Sequence, residues 1–139
     1  MFIRLDRKKI LTVSFFLCCF VPTLFPWFWV KDAAPLRGIQ LSAPLFIPGA
    51  ALYLYALYAK QRRHGVLLGA LAHGVILLGH LIGFFTFSPE VHGLAARLDA
   101  AGAGFWVGLA LLAAHLVLFV TTETAIRRLL EKRRPHPQP

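Results

Sequence analysis

The sequence predicts an all-α membrane protein: an antiparallel bundle of four transmembrane helices with both termini in the cytoplasm. Three observations carry that prediction. Of the 139 residues, 58% are hydrophobic and the mean hydropathy is +0.65, more apolar than a soluble domain of this length can cover with polar surface. Four runs without Asp, Glu, Lys or Arg recur along the chain, each about 20 residues long and so able to cross a bilayer as a helix. Finally, Lys and Arg gather at the ends of these runs. Arg4, Arg7, Lys8, Lys9, Lys60, Arg62, Arg63, Arg127, Arg128, Lys132, Arg133 and Arg134 fall on one side, and only Lys31, Arg37 and Arg97 on the other. The side richer in basic residues is cytoplasmic by the positive-inside rule. The same distribution explains the net charge of +9 without nucleic acid, because the charges mark helix ends where they meet anionic lipid headgroups. Residues 1–134 form a single transmembrane domain in this reading, placed in the inner (plasma) membrane.

The first predicted helix covers about residues 10–30. It follows a short basic segment as a signal peptide does, but no small-x-small cleavage site follows it, and it is read as an uncleaved span. Pro22 and Pro26 should bend it. Trp27, Phe28 and Trp29 read as an interfacial aromatic belt. Cys18 and Cys19 read as small apolar core residues, poorly placed to pair with each other. The second helix covers about residues 40–59, with Pro48 expected to kink or delay it and Tyr53, Tyr55 and Tyr58 as an aromatic belt. A tight turn, Lys60 to His64, makes helices two and three antiparallel neighbours.

The third helix, about residues 65–87, holds two GxxxG pairs, Gly65/Gly69 and Gly79/Gly83, and two histidines, His73 and His80. At 100° per residue the glycines share one stripe, with the histidines at its edge. The connection after it contains HGLAARLDAAG, which predicts a short amphipathic surface helix. The fourth helix, about residues 104–126, aligns Gly104, Gly108 and His115, and carries Glu123 and Arg127 as an i,i+4 pair. Residues 135–139, the PHPQP tail, are expected to be disordered.

Function is less legible. The six glycines Gly65, Gly69, Gly79, Gly83, Gly104 and Gly108 are expected to serve helix packing, since small residues let backbones approach closely in lipid. Histidine within a span usually faces the bundle interior. Counting residues from the basic boundary, His73 and His115 lie at matched depth on antiparallel helices, roughly 10 Å below the cytoplasmic interface. Matched imidazoles suit axial ligation of haem b, with His80 nearer the outer leaflet and within reach of a quinone or His92. No other metal site is expected from Cys/His spacing. There is no GxSxG, HExxH or phosphate loop, and no intramembrane charge for ion pumping. Two functions follow. The first is a small, non-catalytic accessory or assembly subunit of a larger membrane complex, with membrane-protein partner subunits. The alternative is a haem-b- or quinone-binding anchor or electron carrier using His73 and His115.

Overall fold

A computed structural model describes residues 6–31, 33–58 and 64–132, with side chains described up to residue 125 and at 128. Three helices are long and apolar enough to cross a membrane: α2 (Gly38–Tyr58), α3 (Gly65–Thr86) and the first 23 residues of the last helix, Ala103–Ala125. The chain is thus compatible with a multi-pass membrane protein. The expected 135–139 tail and most of the Lys60–His64 turn lie outside the described residues.

The first apolar run is not one helix. It starts as α1 (Arg7–Phe15), capped by Asp6, whose carboxylate accepts from the Lys8 amide. It widens into a π-helical turn over Phe16–Phe20 and tightens into a 3₁₀ turn over Val21–Leu24. It ends as strand β1 (Pro26–Phe28), paired antiparallel with β2 (Leu36–Arg37). The expected helix to residue 30 therefore stops six residues early, and the two prolines are the reason. Pro22 has no N–H for the carbonyl of Cys18, and the Val21 amide reaches five residues back to Phe16 instead. Pro26 has no amide to offer the Pro22 carbonyl, which accepts instead from the Phe25 amide at 3.3 Å and from the Trp27 indole N–H at 2.9 Å.

This bond corrects the aromatic-belt expectation for residues 27–29. Trp27 and Phe28 are fully buried, and only Trp29 faces out. The Gly102 amide donates to the Trp27 carbonyl at 2.7 Å, and the Trp29 amide to that of Ala100 at 3.0 Å. The end of the molecule away from the start of α1 is thus a small plug woven from residues 26–28, 36–37 and 100–102.

α2 is continuous through Pro44 and Pro48, so Pro48 neither delays nor breaks it; α3 packs along its length. The connection after α3 forms α4 (Leu94–Ala100), the expected short helix. Arg97 ties it down, donating to the Phe84 carbonyl at 3.1 Å with its guanidinium over the Phe87 ring. Gly93, just before α4, has φ +86° and ψ 152°, a region open only to glycine. No atom would meet a Cβ there, so Gly93→Ala should lower stability by about 1–3 kcal/mol through backbone strain alone, measured as a reduced thermal midpoint in detergent.

The last helix, α5 (Ala103–Lys132), completes the bundle. The core has two layers. One, around Phe15, Tyr53, Ile76 and Phe119, lies toward the end where α1 starts and α2 finishes. The other, Trp27, Phe28, Phe84, Phe87 and Phe105, lies under the plug. Tyr53 is wholly buried while Tyr55 and Tyr58 are exposed, so the expected belt keeps only the latter two.

Candidate buried histidine–cysteine centre

The glycines place the histidines, and each glycine meets something different. A Cβ at Gly69 would run into the ring of Phe119, so this glycine is what lets α5 approach α3. Gly79 and Gly83 face Leu45 and Leu41 of α2 at 3.1 Å, and Gly65 faces the Ala56 carbonyl at 3.4 Å. Gly104 lies against the backbone of Pro26, and Gly108 faces Pro22, Trp27 and His80. Gly104 therefore receives the broken first segment, and Gly108 both that segment and His80 of α3. Gly49, which the sequence did not single out, receives Ile76.

With α5 drawn close, His73 and His115 meet directly. Nε2 of His73 lies 2.8 Å from Nδ1 of His115, and the rings are within 15° of parallel. Both are almost wholly buried. Their partners fix the protons. His73 Nδ1 lies 2.7 Å from the Gly69 carbonyl, which only accepts, so Nδ1 carries the hydrogen and Nε2 of the neutral ring accepts. His115 Nδ1 then donates to it, which leaves His115 Nε2 as acceptor; the Ser14 hydroxyl, 3.2 Å away, donates to it by turning from the Leu11 carbonyl, which it otherwise meets at 3.1 Å. The nearby Leu11 carbonyl receives the Tyr53 hydroxyl at 3.1 Å. Every buried nitrogen of the pair is satisfied with both rings neutral.

Aromatic rings close the centre. Phe15 stacks on Tyr53 at 4.1 Å and meets both imidazoles edge-on, at 6.1 Å for His73 and 5.5 Å for His115. Phe119 tilts over His73 at 5.9 Å. A third potential ligand joins them from the π-helical turn: the sulfur of Cys19 and one nitrogen of each imidazole all lie within 4.8 Å of one another. This buried Cys/His/His group could hold a metal ion. The expectation that Cys19 is only a small apolar residue overlooked it. The available signal was depth, since Cys19 lies about as far along its segment from Arg7–Lys9 as His73 lies along α3 from Arg62–Arg63.

His80 has partners of its own. Its Nδ1 bonds the Ile76 carbonyl at 3.0 Å, and its ring lies 4.4 Å from that of Trp27, while His92 is exposed on the loop. At the other end, Glu123 approaches Arg7 at 3.3 Å, and that carboxylate oxygen makes no aligned hydrogen bond. The side chain of Arg127, its expected partner, lies outside the described residues.

No family model, curated protein or solved structure matches this chain. Its function has to be argued from its own side chains.

The interhelical imidazole pair has a measurable strength. Polar contacts between membrane helices average about 0.6 kcal/mol and reach about 1.7. The double-mutant cycle of His73→Ala and His115→Ala should give coupling in the upper half of that range, read from unfolding in mixed micelles. Additive losses would mean that the two rings do not bond.

Proposed function

We propose that this protein is a small integral membrane protein that serves as a non-catalytic accessory or assembly subunit, docking by its lipid-facing surface onto a partner membrane protein. The observation that carries this reading is a groove of about 460 Å³ between the broken first segment and the start of α5, lined by Leu17, Val21, Phe25, Trp29, Val107 and Leu111 among others. The lining is almost wholly apolar, so in a bilayer it offers packing without polar recognition. Shape and dispersion drive helix association in lipid. A rigid, notched surface suits a partner's transmembrane helix better than a smooth one, because the notch is filled only by a complementary shape.

In this reading the chain crosses the membrane four times, α1 and its two following turns making the first crossing, with both termini cytoplasmic in the inner membrane. Arg7 beside Glu123, and Lys8 with its ammonium 5.2 Å from the Tyr58 ring centre, support it. They bring the start of the first segment, the end of α2 and the end of the apolar part of α5 to one face. The basic residues of that face contact anionic headgroups.

A photo-crosslinking residue at Val107 or Val21, in native membranes, should give a discrete protein adduct, while one at the exposed Ile47 of α2 should not. Val107→Trp, which fills the notch, should abolish that adduct from Val21. Adducts with lipid alone, or a lone chain that retains its cellular role, would overturn the proposal.

A second reading, the haem b carrier, draws on the meeting of His73 and His115. It requires the rings to part, because two metal–nitrogen bonds of about 2.0 Å each in a trans pair span more than the observed 2.8 Å. A Soret band lost in His73→Ala or His115→Ala would establish it. A colourless preparation, with both variants folded, would remove it and a quinone role would be tested next.

A further inference from the structure

Cys19 takes no part in the docking surface, yet it is 2% exposed and faces two imidazoles. We propose that Cys19, His73 and His115 form a membrane-embedded binding site for one monovalent copper ion. The metal takes the place of the proton shared by His73 Nε2 and His115 Nδ1, and the Cys19 thiolate completes a three-coordinate set.

The donor set and the surroundings agree on the metal. Thiolate and imidazole are ligands that suit copper and zinc, and thiolate selects the softer monovalent ion. Charge separates the candidates. One thiolate with Cu(I) is neutral, whereas one thiolate with Zn(II) leaves a positive charge. The one carboxylate on the α5 span, Glu123, is already paired with Arg7 at 3.3 Å, and an uncompensated charge in lipid costs several kcal/mol. The walls of Phe15, Tyr53 and Phe119 shut out the water that zinc would recruit as a fourth ligand.

The protons also balance. Binding breaks the Cys19 S–H bond, forms S–Cu, and releases one proton to solvent, so the centre is neutral before and after. His115 must free Nδ1, and it does so by carrying its hydrogen on Nε2 instead. Acceptors already stand there: the Ser14 hydroxyl at 3.2 Å and the Leu11 carbonyl at 3.4 Å. His73 needs no change, because the Gly69 carbonyl already holds its hydrogen on Nδ1. A carbonyl or hydroxyl behind each imidazole is how metal-binding histidines are usually oriented. In a trigonal set, metal–nitrogen bonds of about 2.0 Å require the facing nitrogens, now 2.8 Å apart, to open by about 0.7 Å. The π-helical turn that carries Cys19 supplies the third ligand because Pro22 widens the helix there, and such turns recur at functional sites.

The test uses the full chain purified in detergent, loaded anaerobically with Cu(I) and challenged with bicinchoninate. One copper per chain should be retained, with one proton released per ion bound, and X-ray absorption at copper should report one sulfur and two nitrogens. Cys19→Ser, His73→Ala and His115→Ala should each weaken retention by more than about 100-fold, and Ser14→Ala, which removes only an orienting partner, by about 10-fold. Cys18→Ser should match the parent chain. Copper at the level of empty detergent, retention unaffected by Cys19→Ser, or preferential retention of Zn(II) would each overturn the proposal. The absorption measurement on the parent chain decides even if a variant fails to fold.

Discussion

Gly69→Ala should destabilise the bundle by about 1–3 kcal/mol or more, the range for overpacking a filled core, while Gly74→Ala, on the same helix, should stabilise it. The two glycines are five residues apart, and helix propensity favours alanine over glycine by about 0.8–1.0 kcal/mol at both. What differs is the neighbour. The new methyl at Gly69 collides with the ring of Phe119, which is 1% exposed and wedged between Tyr53 and His73. Any shift of that ring disturbs its contacts with Tyr53 and His73. At Gly74 nothing lies within 4 Å of the added atom, so only the propensity gain remains. Gly104→Ala should rank with Gly69→Ala, because its obstacle is the backbone of Pro26, and Gly65→Ala should be nearly neutral against an ordinary 3.4 Å contact. Midpoints of unfolding in mixed micelles would read the order. Equal losses at Gly69 and Gly74 would show that packing between α3 and α5 is not as close as described.

Phe15→Ala should cost about 3 kcal/mol, the lower end of the range for deleting a buried phenylalanine. The lower end applies because lipid, not water, is the alternative surrounding, so lost dispersion contacts and the cavity remain but little transfer energy does. Phe15 is wholly buried, stacks on Tyr53 within 9° of parallel, and touches both imidazoles. It is the main side chain by which α1 grips the centre. Phe16→Ala, at a ring 41% exposed, should cost well under 1 kcal/mol, and the contrast is again read from unfolding midpoints. Phe15→Ala should also loosen α1 selectively, seen as faster amide exchange at Leu11 and Phe15 than along α2. Uniform exchange throughout would show that α1 does not depend on this ring.

The three long spans were legible because periodicity and absence of charge are properties of a single segment. The pairing of His73 with His115 was legible from depth, a count of residues from a charged boundary. What the sequence concealed depends on neighbours remote in the chain. Pro22 and Pro26 announce a disturbance, but whether the chain kinks or becomes a strand depends on donors such as the Trp27 indole and the Gly102 amide. Trp27 and Tyr53 resemble interfacial aromatics by position, and are buried because Gly38 makes room for one and the Leu11 carbonyl accepts from the other. Cys19 resembled filler because a metal-ligand spacing is a pattern along one segment, and these three ligands come from three.

The plug also orders the birth of the molecule. The first segment is made before α5, yet the carbonyl of Trp27 and the amide of Trp29 find their partners only in residues 100–102, more than seventy residues later. Unpaired peptide groups are expensive in lipid. The plug end of the first segment therefore has its backbone partners only once the stretch before α5 has been made.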